Sequence, residues 1–125
     1  MLDVLLRRSR STEPQSTDAL LDGRAVACLL RSESAPLPLR FRQGILHLVG
    51  SQMTWCQGMY GRGQRFPLVP PLTLVRVRPV GGPGEWNIKK NLFSVVEVRS
   101  ASGLLELAVP KGSVQLVESA LNALR

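Results

Sequence analysis

The stretch that most constrains the fold is the last third of the chain, Leu92 to Leu124. Leu92-Phe93-Ser94-Val95-Val96-Glu97-Val98-Arg99 is rich in β-branched residues and alternates late in the run. Ser102-Gly103 supplies a turn, and Leu104 to Val109 returns as a second strand. An amphipathic helix follows, starting between Pro110, tolerated in a first turn, and Ser113, a candidate N-cap. It carries Val114, Val117, Leu121 and Leu124 at spacings of three, four and three, with Leu116, Ala120 and Ala123 beside them. So short a helix is marginal alone in water, and its stripe must be buried. Burying about four aliphatic side chains contributes roughly 6–12 kcal/mol before ordering entropy is subtracted. The rest of the chain therefore has to supply a sheet for this helix to close.

Across the final hairpin, a two-residue turn at Ser102-Gly103 sets Arg99 against Glu106 and Val98 against Leu107. Displacing the register by two residues would set Glu97 against Glu106, two like charges, which is unfavourable. Val96, Val98, Leu105, Leu107 and Val109 are expected inside.

Upstream, five more strands are expected. Ala25 to Leu30 reads as a buried first strand, and Ser32 to Pro38 as a loop set by two prolines. Leu39 to Val49 is the longest candidate. Phe41, Ile45, His47 and Val49 share one parity, Arg40, Arg42, Leu46 and Leu48 the other, and Gly44 is expected to mark a bulge where the inward face changes. Gly50-Ser51-Gln52 turns the chain into Met53 to Cys56. Arg65 to Val69 is expected at an edge because of Pro67, and Leu72 to Arg78 alternates, with Val75 and Val77 opposite Arg76 and Arg78. Gly-rich loops, 57–64 and 79–85, separate these runs.

At 125 residues the chain suits one domain, 24–125, preceded by a polar tail, 1–23, expected to be flexible apart from a weak helical turn at Asp18 to Asp22. No apolar run approaches the roughly 18 residues of a membrane span. Leu2 to Leu6 is too short for a signal-peptide core and is broken by Asp3. Cys28 and Cys56 lie inside predicted strands and are expected as reduced, buried thiols.

Seven strands and one closing helix point to a mainly β (α+β) fold, a pleckstrin-homology-like (PH-like) barrel. Its seven antiparallel strands form sheets of four and three, capped by the C-terminal amphipathic helix. An OB-fold wants five strands with an inserted helix. An immunoglobulin-like sandwich has no use for a terminal amphipathic helix.

The chain resembles a family of small actinobacterial proteins that carry a PH-like domain of uncharacterised function, usually attached to one N-terminal transmembrane helix. The residues carrying the likeness are Cys28-Leu29-Leu30-Arg31, then Arg42-Gln43-Gly44-Ile45-Leu46-His47-Leu48 with Trp55, and Val95 to Ala108 with the helix after it. The likeness covers roughly residues 25–124 and departs at the front, where the transmembrane helix is missing. Leu2-Asp3-Val4-Leu5-Leu6 before Arg7-Arg8-Ser9-Arg10 would suit the last turns of such a span with its cytoplasmic basic flank. The resemblance implies no activity, since the family has none assigned; the expected location is cytoplasmic, with the inner face of the plasma membrane as the place of action.

The residue inventory argues against an enzyme. The single histidine, His47, sits between Leu46 and Leu48 and reads as structural. Two cysteines 28 positions apart are no zinc pattern, so neither metal nor cofactor is expected. Gly58-Met59-Tyr60-Gly61-Arg62-Gly63 lacks the Lys-Ser/Thr ending and the following helix of a phosphate loop. The acids are scattered, and no nucleophile elbow is present.

Charge is the remaining functional signal. The net +7 is concentrated in residues 24–90, where eight Arg and two Lys face only Glu33 and Glu85. A solvated face explains such an excess as readily as an acidic partner does. The candidate binding residues are Arg40, Arg42, Arg62, Arg65, Arg76, Arg78, Lys89 and Lys90, with Met59, Tyr60 and Trp86 as membrane-contact candidates. The expected function is a non-catalytic interaction module, meeting an anionic membrane surface or a protein partner. A barrel binding single-stranded nucleic acid is the alternative. Arg40, Arg42, Arg76 and Arg78 on strands favour it, but aromatics are only 5% of the chain and no recognition motif is present.

Overall fold

The computed structural model describes residues 22–49 and 52–124. The tail expected through Leu21, the turn expected at Gly50 and Ser51, and Arg125 lie outside them. The seven strands are β1 (Asp22–Ser32), β2 (Arg42–Val49), β3 (Gln52–Gln57), β4 (Arg65–Pro67), β5 (Thr73–Pro79), β6 (Phe93–Ser100) and β7 (Gly103–Pro110). A 3-10 turn, Lys111–Ser113, then leads into the helix α1 (Val114–Leu124).

All pairings are antiparallel, in the order β4-β3-β2-β1-β7-β6-β5. The fold is thus mainly β, with the strand number, direction and terminal helix of a PH-like barrel. The expected groups of four and three are joined into one open sheet, because β1 outruns its partner. It pairs with β2 as far as Leu30 and with β7 from Leu29 to Ser32.

The core lies on the concave face. Leu30, Leu46, Leu48, Met53, Trp55, Leu72, Val96, Val98, Leu105 and Leu107 meet there under Val117, Ala120 and Leu121 of α1. The helix lies against β5. Val114 and Leu116 are half-buried beside the core, so the stripe expected to cap the sheet does so through its central turns. Pro67 sits in the edge strand β4, as its missing N–H requires. Cys28 and Cys56 are free, buried thiols, and burial pushes Cys28 up to about 12.

Two expectations are corrected. Gly44 marks no bulge. β1 and β2 stay in register through Cys28↔Gly44, and the inward face does not change, since Gly44, Leu46 and Leu48 are all buried. A Cβ at Gly44 would stand 2.5 Å from Trp55 Cε2, so the glycine makes room for the indole. The irregularities fall instead between Asp22 and Arg24 and between Leu74 and Arg76.

The register of the final hairpin is the second correction. Ser100 pairs with Gly103, Val98 with Leu105, and Glu97 with Glu106, two residues displaced from the expected pairing. The turn is therefore Ala101-Ser102. The Ser100 hydroxyl donates to the Gly103 carbonyl (2.9 Å) and accepts from the Ser102 amide (3.3 Å). Gly103 has φ +126°, a value L side chains disfavour, which suits it to the first position after the turn. A two-residue displacement keeps every side chain on its own face, so the five residues expected inside are inside.

Candidate functional site

The displaced register places two carboxylates side by side on the convex face, and arginines hold them there. Arg31 on β1 lies opposite Glu106, and Arg76 on β5 lies opposite Glu97. Arg78 binds three carboxylates: Nε donates to Glu97 (2.7 Å), and Nη2 donates to Glu106 (2.7 Å) and to Glu85 (2.6 Å). Arg31 donates to Glu106 (2.8 Å) and Glu85 (3.1 Å), and Arg76 to Glu97 (2.8 Å). The like-charge objection to this pairing fails because it considered the carboxylates without the cations of β1 and β5.

Glu85 comes from the β5–β6 connection, residues 80–92, which folds back across the convex face. Its side chain is fully buried, and its Oε1 also accepts the amides of Gly81 and Gly82 at 2.9 Å each. Arg31 anchors the same loop at the Pro83 carbonyl (2.7 Å) and stacks 4.3 Å over the Phe41 ring. Val80 and Ile88 complete the attachment by packing on Val95 and Ala108. The Arg78 hydrogen bond, opposed by burial and aided by the glycine amides, holds the Glu85 carboxyl down at about 2. Glu97 is lowered chiefly by Arg76, against burial, and Arg78 is raised chiefly by Glu85.

This network divides the candidate basic residues. Arg78 is committed to Glu85, Glu97 and Glu106, with its side chain only 17% exposed. Arg76 shares Glu97 but is 64% exposed. Arg40, Arg42, Arg65, Lys89 and Lys90 are exposed, with no ion-pair partner among the described residues, and Arg62 lies 6.0 Å from the Tyr60 ring.

Four of these cations share one end of the sheet. Arg42 starts β2 opposite Leu30, and Arg40 precedes it. Gly44 pairs with Gln57 and Cys56 with Arg65, so the β3–β4 loop bearing Met59, Tyr60 and Arg62 leaves from the same end. That loop is tied to β2 by the Gly58 amide on the Gln43 carbonyl (2.8 Å), and Gly61 lies against Ile45. Met59 is 62% and Tyr60 76% exposed. Trp86, 91% exposed, is brought to Arg40 by the folded-back loop, where both line a groove of about 400 Å³ with Leu39, Phe41 and Asn87. Lys89 and Lys90 belong instead to the base of that loop, where the Lys89 carbonyl accepts the amides of Leu92 and Phe93.

Trp55, by contrast, is fully buried, its N–H directed at the Cys28 carbonyl (3.5 Å). His47 is half-buried on the convex face of β2, opposite Thr54. Among the described residues no three His, Cys, Asp or Glu side chains gather to hold a metal ion, and no helix is long and apolar enough to cross a membrane. Sequence reasoning missed Arg31, Glu85 and Glu106 as a unit. The one available signal was Glu85 itself, an acid in a Gly/Pro loop within the strongly basic section. Compared with family models, curated proteins and solved structures, the chain matches none.

Proposed function

We propose that this chain is a non-catalytic PH-like interaction module that rests on an anionic membrane surface, at the cytoplasmic face, through the sheet end bearing Arg40, Arg42, Arg62 and Arg65. The observation that carries the reading is the convergence there of four exposed arginines, none ion-paired among the described residues, with the exposed Met59, Tyr60 and Trp86. Arg76 and Arg78 are assigned instead to holding the β5–β6 loop that presents Trp86. The resemblance read from residues 25–124 to the actinobacterial PH-like family would agree with this reading, a transmembrane helix in such relatives supplying their main attachment.

Four arginines at roughly 1 kcal/mol each near an anionic surface give ~4 kcal/mol. That corresponds to a dissociation constant of about a millimolar, enough to orient a tethered domain and too weak to hold a free one. The full chain should sediment weakly with phosphatidylglycerol vesicles at low salt, not at high salt, and not with phosphatidylcholine vesicles. Arg40→Glu with Arg62→Glu should abolish the binding, and the emission of Trp86 should shift to the blue only with anionic vesicles. Binding to neutral vesicles, or binding that survives high salt, would refute the electrostatic account. Retention on DNA-cellulose without vesicle binding would favour the nucleic-acid alternative.

A further inference from the structure

The barrel is open between β4 and β5, the two edges of the sheet. Along β4 the Leu68 amide bonds to the Met53 carbonyl and the Gln57 amide to the Gln64 carbonyl. In an antiparallel ladder this alternation turns the N–H and C=O of Arg65 and the C=O of Pro67 away from β3, toward the free edge. Those groups form a short template for one more strand.

Two grooves border the same edge. On the concave side, about 500 Å³ opens between β4 and the Ala101-Ser102 turn, floored by Phe66, Leu68 and Leu105 and rimmed by Leu37 and Val69. Phe66 and Leu68 alternate with Arg65 and Pro67, whose side chains are exposed on the other face. There a second groove of about 410 Å³ runs past Arg65, Thr54 and Gln52. A strand added to β4 would send successive side chains alternately to these two sides.

We infer that β4 is a docking edge for an extended peptide whose apolar side chains alternate with acidic ones. The apolar residues enter the groove over Phe66 and Leu68, and the acids face Arg65. Charge selects this occupant: Arg65 and the neighbouring Arg62 have no carboxylate partner among the described residues. A second copy of the chain would bring its own Arg62 and Arg65 to a pairing only three residues long. Pro67 lacks an N–H, so the edge offers few main-chain bonds and side-chain chemistry has to select the partner. This inference does not rest on the membrane reading but shares Arg62 and Arg65 with it, and the vesicle arm of the test below separates the two.

The test uses the full chain, labelled for amide NMR, and a capped peptide of alternating valine and glutamate. The expected result is saturable shifts confined to the amides of residues 64–66, 68, 69 and 100–105. A valine–lysine peptide should give none, and N-methylation of the edge-facing peptide amides should abolish binding. Arg65→Glu should weaken the glutamate peptide at least tenfold and confer binding of the lysine peptide. Equal binding of both peptides by the unaltered chain, indifference to N-methylation, or shifts elsewhere would overturn the proposal. Concentration-dependent shifts of these amides without peptide would assign the edge to a second copy, and their appearance only with phosphatidylglycerol vesicles would assign it to the membrane. Either result would also overturn it.

Discussion

Arg78→Met removes the cation at the centre of the convex-face network while keeping the aliphatic stem. Glu97 and Glu106 then stand side by side, sharing only Arg76 and Arg31, and the fully buried Glu85 loses its 2.6 Å partner. Breaking a buried pair from one side typically costs about 3–5 kcal/mol, because a charge is left uncompensated. The Glu85 carboxyl gives a separate measure. Holding it at about 2 against an ordinary 4.5 corresponds to roughly 3 kcal/mol of stabilisation of the ionised form by folding. Its folded value is depressed, so this stabilisation is fully present above the unfolded value and disappears as pH falls through 4.5 toward 2. Glu97, also depressed, acts in the same direction. The variant retains less of this pairing and so has less to lose on acidification. Urea melts at pH 7 should therefore show Arg78→Met destabilised by about 3–5 kcal/mol, with the gap to the unaltered protein narrowing by pH 3. The companion Arg76→Met, at a side chain 64% exposed, should change stability by less than about 1 kcal/mol. An Arg78→Met melt matching the unaltered protein, or a gap that stays constant or widens on acidification, would refute the reasoning.

Two further changes probe the concave face. Leu121→Ala empties a core position under the sheet, where α1 meets the strands, and should cost about 2–5 kcal/mol by urea melt; unchanged stability would mean that α1 does not close the core. Gly44→Ala drives a methyl to within 2.6 Å of both the Trp55 ring and the Cys56 carbonyl, and should cost about 1–3 kcal/mol while perturbing the near-ultraviolet signal of Trp55. A neutral Gly44→Ala would show that the indole has room to move.

Local chemistry made much of this fold legible in the sequence. Val96, Val98, Leu105, Leu107 and Val109 are inside because alternation in a strand commits a side chain to a face, and a register changed by two residues leaves that face unchanged. Pro67 belongs to an edge because it has no amide to give a second neighbour. The stripe through Val117 and Leu121 demanded a sheet to lie on, and it has one. Tertiary structure decided how these pieces meet. Whether Glu106 faces Arg99 or Glu97 depends on one residue of turn position, and pairwise charge arithmetic chose wrongly because Arg78 arrives from a strand about twenty residues upstream. Gly44 looked like a backbone irregularity because nothing local reveals that Trp55 of the next strand fills the space beside it. The same holds for the basic excess. Composition counts Arg78 and Arg40 alike, yet the convex-face network commits one to three carboxylates and leaves the other at the surface beside Trp86, a distinction that exists only once the chain has folded back on itself.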